Sequence, residues 1–141
     1  MGFSTYYLKD HNFILTHISD EVDDHNLKQY VLTLNKNTEG MLNIRELADC
    51  RCVESMEKLT SQGTAACAEL EKYRPDSLLA ILVTESPLLY GLVRTYQTFA
   101  EGRRKEVKIF TDINQALTWL ANDEKDLQII NNFAIKHLTS H

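Results

Sequence analysis

The sequence predicts an α/β fold: one domain with a central, mostly parallel five-stranded sheet, an N-terminal antiparallel hairpin and helices on both faces. Three observations carry this. The length, 141 residues, suits one compact domain with a single sizeable core. After an opening pair of strand-like runs, strand-length apolar segments alternate with helical periodicities, which implies crossovers and parallel strands. The run Leu78 to Val83 is wholly apolar, as a central strand covered on both faces requires.

The elements follow in order. Phe3 to Lys9 and Asn12 to Ile18 are short aromatic or β-branched runs around Asp10-His11, and they read as a hairpin. Asp23 and Asp24 offer caps for a helix burying Leu27, Tyr30, Val31 and Leu34, spaced i, i+3, i+4 and i+7. Gly40 closes the next loop, and Met41 to Ala48 reads as a buried strand in which Arg45 and Glu46 are awkward. Met56 to Tyr73 is predicted helical, with Leu59, Gly63, Ala66, Cys67 and Leu70 along one face, and Arg74-Pro75-Asp76 ends it. Leu78 to Val83 is the central strand. Ser86 then serves as an N-cap with Pro87 in the first turn, a strong start signal. The helix it opens is expected to bury Leu88, Leu89, Leu92, Val93, Tyr96, Phe99 and Ala100. Val107 to Phe110 is a last strand, and Asp112 caps a helix carrying Ile113, Ala116, Leu117 and Leu120. A final helix, roughly 124–138, shows Ile130, Phe133, Ala134 and His137 on one face. That face either folds back on its own core or pairs with a second copy as a homodimer; the sequence leaves both open.

Composition excludes several classes. With 43% apolar and 25% charged residues, five glycines and two prolines, the chain is neither disordered nor collagen-like nor linker-rich. Fifteen Lys+Arg against twenty Asp+Glu give a formal charge of -5, and an acidic domain without a basic stripe does not bind nucleic acid through phosphates. The basic run Arg103-Arg104-Lys105 reads as a solvated loop. Cys50, Cys52 and Cys67 are odd in number and accompanied by no signal-peptide pattern. This points to free thiols in a reducing, cytoplasmic setting. Cys50-Arg51-Cys52 has the spacing of neither a redox motif nor a zinc site, and core packing explains it best. Residues 78–100 hold only Glu85 and Arg94 as charges, but Glu85-Ser86-Pro87 splits them into a strand and a helix. No membrane-spanning helix, which needs ~20 apolar residues, is predicted.

Motifs for chemistry are absent. Gly2, Gly40, Gly63, Gly91 and Gly102 are too scattered for a phosphate-binding loop, and there is no Gly-x-Ser-x-Gly nucleophile elbow. His11, His17, His25, His137 and His141 show no metal-ligand spacing. His11 and His25 fall in predicted turns, and only His17, in a predicted strand, is placed to point inward, where a structural role outweighs a catalytic one. No enzyme activity, cofactor or metal is expected.

Two constellations remain. Glu54-Ser55 through Ser61 lies where a strand hands over to a helix. A hydroxyl-rich helix start there could bind an anion or accept a phosphoryl group at Ser55, although Glu54 and Glu57 would repel an anion and simple capping is favoured. The second pairs a small helix surface, Gly63, Ala65, Ala66, Cys67 and Ala68, with a large aromatic one, Tyr90 and Tyr96 flanking Gly91. This is either small-against-large packing or an apolar pocket between the helices and the sheet with tyrosine hydroxyls at its mouth.

Residues Gly40 to Leu120 resemble the SpoIIAA-like family, also described as STAS/CRAL-TRIO-like domains. The matching segments are Leu47-Ala48-Asp49-Cys50-Arg51, Leu79-Ala80-Ile81-Leu82-Val83, Leu88-Leu89-Tyr90-Gly91-Leu92-Val93-Arg94, Tyr96-Gln97-Thr98-Phe99-Ala100, and Val107-Lys108-Ile109-Phe110-Thr111-Asp112 with Ala116-Leu117-Trp119-Leu120. With the hairpin and first helix, the likeness covers about residues 3–121, which leaves 122–141 as a helical extension. The resemblance implies one of two functions. CRAL-TRIO domains hold lipids and other apolar ligands between a sheet and a mobile helical gate. By that analogy this chain is a non-catalytic module for a lipid or other non-polar small molecule, with reversible membrane association while the gate is open. Leu59, Ala66, Leu89, Leu92, Val93 and Tyr96 would act as apolar contacts only. The alternative is a regulatory module that binds a protein partner, like the anti-sigma-factor antagonists, which switch partners on phosphorylation of a serine. Ser55 is the nearest hydroxyl here, in Cys52-Val53-Glu54-Ser55-Met56 rather than Asp-Ser-Ser-Gly.

Overall fold

A computed structural model describes residues 2–138. Five strands, β1 (Phe3–Leu8), β2 (Phe13–Glu21), β3 (Arg45–Ser55), β4 (Arg74–Leu82) and β5 (Arg104–Phe110), form one sheet in the order β1-β2-β3-β4-β5. β1 and β2 pair antiparallel, from Phe3 opposite Ile18 to Leu8 opposite Phe13, and the other pairs are parallel. The helices are α1 (Asp24–Asn37), α2 (Ser61–Glu69), α3 (Pro87–Ala100), α4 (Ile113–Leu120) and α5 (Glu124–Leu138). The predicted α/β class and topology are those observed.

Strand order never reverses from β2 to β5, so right-handed crossovers stack α1, α2 and α3 on the same face. There is accordingly no switch-point crevice of the doubly wound kind. The opposite face is covered by α4 and α5, whose Leu117, Leu120, Ile130 and Ala134 pack with Phe13, Leu15, Leu47, Leu82 and Phe110. The apolar face of α5 therefore folds onto its own core, and Phe133 meets Phe13 edge-on with ring centroids 5.9 Å apart. Among the described residues no helix is long and apolar enough to cross a membrane.

Several boundaries differ from expectation. The third strand starts at Arg45, four residues late, and runs on to Ser55. Alternation along it resolves the awkward pair. Arg45 points to the α5 face and pairs with Asp126, while Glu46 points to the crossover face and pairs with Arg104. β5 opens with Arg104, which is buried, so 103–105 is not a solvated loop. β4 takes in Pro75 because the β4–β5 register shifts between Arg74 and Leu78, an irregularity that spares the missing N–H.

The second helix is shorter and differently phased than predicted. Thr60 is its N-cap, accepting from Gly63 N at 2.8 Å, and the Asp24 carboxylate in turn accepts from Thr60 N (2.9 Å) and Thr60 Oγ1 (2.8 Å). A negative group at a helix N-terminus is favourable. This approach leaves no room for a side chain at position 63, where a Cβ would lie 2.2 Å from Asp24 Cγ. Starting at Ser61, the helix turns Thr64, Cys67 and Ala68 inward and leaves Ala66 and Leu70 exposed. In α3 the inward residues are Leu89, Val93 and Ala100, while Leu88 and Phe99 face outward.

Candidate functional site

Between the crossover face of the sheet and α1, α2 and α3 lies a cavity of about 90 Å³. It exists because small side chains face one another across this layer. The sheet contributes Ala48 and Cys50, and α2 contributes Thr64 to the lining and nothing larger. Ile18, Leu79 and Ile81 complete the floor, with Leu27, Met56 and Leu59 along the sides. α3 supplies Leu89, Leu92, Val93 and Tyr96.

Five of the six side chains expected from the sequence, Leu59, Leu89, Leu92, Val93 and Tyr96, thus converge on this cavity. Ala66 does not. It is exposed on the outer side of α2, because the Thr60 cap sets the helical phase and brings Thr64 inward instead. Ser55 is not at a helix start either. It is the last residue of β3, its carbonyl accepts from Val22 N at 2.9 Å, and five residues separate it from Thr60.

One end of the cavity is polar, formed by Tyr30, Glu46, Tyr96 and Arg104. Arg104 donates through Nε to Glu71 Oε1 at 2.6 Å and through Nη2 to Glu46 Oε1 at 2.9 Å, and its Nη2 makes an ion-pair contact with Glu71 Oε1 at 2.5 Å. The second oxygen of each carboxylate is also taken: Tyr30 donates its hydroxyl to Glu46 Oε2, and Tyr96 donates to Glu71 Oε2. Thr16 lies 2.9 Å from the Tyr30 hydroxyl and 3.2 Å from Thr5 Oγ1. Beyond the cavity lining the network continues to Arg74, which approaches Glu71 at 3.8 Å and donates to Thr38 Oγ1 at 2.7 Å.

Tyr96 therefore does more than provide apolar contact: its hydroxyl is tied to Glu71 within the charged network. Tyr90 is exposed on α3. Sequence reasoning missed Glu46, Glu71, Arg74 and Arg104. For Glu46 the available signal was a charge where buried strand was expected, since a charge is buried only when paired; Glu71, Arg74 and Arg104 fell in a predicted helix, at its end and in a predicted loop, and carried no such signal.

The electrostatics describe a settled network. Burial, reinforced by Glu46, pushes the Tyr30 hydroxyl well above its ordinary range, and burial together with Glu71 does the same to Tyr96. Both remain protonated donors. Burial works against the Arg104 charge, but Glu71 and Glu46 more than offset it and hold the guanidinium protonated. Arg74 is lowered by burial and by the neighbouring Arg104. The Cys50 thiol is pushed up to about 12 by burial and by Asp49, so it is not a thiolate at neutral pH and lacks the nucleophilic form.

The histidines lie elsewhere. His17 is buried in β2; His11 sits in the turn before it, 3.9 Å from Asp126; His25 is exposed in α1 rather than in a turn; and His137 stacks on Tyr6. His141 lies outside the described residues. Among the described residues no three His, Cys, Asp or Glu side chains are grouped to hold a metal.

Compared with protein-family models, curated proteins and solved structures, the chain has no match in any of the three.

Proposed function

We propose that this chain is a non-catalytic binding module of the SpoIIAA-like, STAS/CRAL-TRIO-like kind that takes a non-polar small molecule, or part of a lipid, into the cavity beneath α1, α2 and α3. The observation that carries the reading is the unfilled apolar volume closed by a nine-residue helix with a small inward surface. An engineered apolar cavity of ~150 Å³ accepts benzene. The cavity here, about 90 Å³, suits a small ring or a short chain end, and a longer acyl chain requires α2 to move outward. The exposed Leu88, Tyr90 and Phe99 on α3 support reversible contact with a membrane surface during that opening. Three free cysteines, two of them buried, fit a reducing, cytoplasmic setting. A partner switch at Ser55 has less support, because no helix begins there.

Native mass spectrometry after incubation with a lipid extract tests the reading. The wild type is expected to retain a non-polar adduct, and Ala48→Ile, which fills the cavity from the sheet side, is expected to lose it. No adduct on the wild type, or equal retention by both proteins, would overturn the proposal.

A further inference from the structure

The charged group beside the cavity leaves three nitrogens without a hydrogen-bond acceptor, Arg74 Nε, Arg74 Nη2 and Arg104 Nη1, and of the two arginines Arg104 lines the cavity and Arg74 does not. Arg104 has only 1% of its side chain exposed, lines the cavity, and spends Nε and Nη2 on the two glutamates. Its Nη1 has no hydrogen-bond acceptor in the protein. Neither carboxylate can turn to serve it, because Glu46 Oε2 is held by Tyr30 and Glu71 Oε2 by Tyr96. An unmatched buried donor is costly, and an acceptor delivered by a ligand relieves that cost. The charges decide what sort of acceptor fits. Arg104 and Arg74 balance Glu46 and Glu71, so an anionic head would bring an uncompensated charge into a buried site. A pure hydrocarbon would leave Nη1 unmet.

We propose that the ligand is a small apolar molecule carrying one neutral acceptor oxygen, a carbonyl or a hydroxyl, which accepts from Arg104 Nη1 while its hydrocarbon part lies among Ile81, Leu89 and Val93. This rests on the binding reading above and specifies the ligand class for the same cavity.

The test uses the unmodified chain, since removing Arg104 would leave two buried carboxylates unpaired. Three probes of similar shape are titrated by NMR: cyclohexanone, methylenecyclohexane, in which a CH₂ replaces the oxygen, and cyclohexanecarboxylate. The guanidinium of Arg104 and the methyls of Leu89 and Val93 are followed. With each affinity divided by the probe's own hydrocarbon partition coefficient, cyclohexanone is expected to exceed methylenecyclohexane by about tenfold or more. It is also expected to shift the Arg104 Nη signals and to bind more tightly than the carboxylate. Methylenecyclohexane binding in the cavity as well as the ketone, or a silent Arg104, would overturn the assignment while leaving the cavity reading intact. Preference for the carboxylate would overturn the neutral head. Failure of all three probes to shift the cavity methyls would overturn both readings.

Discussion

On the α4/α5 face of the sheet, Phe13, Leu47 and Leu82 meet Leu117, Leu120 and Ile130, and Phe110 packs on Trp119 with ring centroids 5.6 Å apart. On the crossover face, Ala48 and Cys50 look toward Thr64 and leave open volume. Each face receives one charge from the start of β3, and the two are treated differently. Arg45 has both terminal nitrogens engaged: Asp126 pairs with them, Nη1 also donates to the Leu120 carbonyl and Nη2 to that of His11. Glu46 instead starts a network in which Arg104, a residue that lines the cavity, keeps its Nη1 without an acceptor. The same alternation thus produces a closed staple on one side and a site with unspent capacity on the other. Unfilled volume and an unmatched donor occur together on the crossover face, and that coincidence is what the proposed binding reading rests on.

The largest expected effect comes from breaking the network. Arg104→Met should destabilise the fold by about 3–5 kcal/mol, because Glu46 and Glu71 stay buried without their cation, and urea denaturation should show most of the stability gone. Ile130→Ala, on the well-packed face, should cost about 2–4 kcal/mol in the same measurement while leaving adduct retention unchanged. If ligand retention fell with it, the two faces would not be separable.

Between these and the smallest effects lies a dependence on pH. Burial alone would raise the Asp126 carboxyl, but the hydrogen bonds from Arg45 and from the backbone N–H of Asn122 overcome it, so the folded value lies below the ordinary one. Its contribution is therefore complete above the unfolded value of about 4 and is lost as pH falls toward the lower folded value. Thermal unfolding below pH 4 should be steeper in pH for the wild type than for Asp126→Asn. Smaller still, Tyr96→Phe should cost about 1–2 kcal/mol by removing the donor to Glu71 Oε2. Ala48→Ile should change stability least, since the added methylenes enter existing space.

The fold was largely legible because its signals are local. The apolar run at 78–83, the Ser86-Pro87 start and the Asp112 cap each lie within a few residues of what they organise. The cavity wall on α3 was legible for the same reason: Leu89, Leu92, Val93 and Tyr96 follow one helical period from an unambiguous cap. Ala66 failed because the phase of α2 is fixed by Asp24, 36 residues before Thr60 in the chain. The network was invisible for a related reason. Arg104 finds Glu71 and Glu46 across separations of 33 and 58 residues, and no periodicity links them. The formal charge of -5 points to no particular charged cluster. The structure places four charged side chains in the layer around the cavity's polar end, balanced so that the sum conceals them.

The most direct test of this account is a methyl-labelled NMR titration of the wild type with methylenecyclohexane, comparing the two faces within one spectrum. The account predicts saturable shifts at Leu89, Leu92 and Val93 and none at Leu117, Leu120 and Ile130. Unmoved α3 methyls, or equal shifts on both faces, would contradict it.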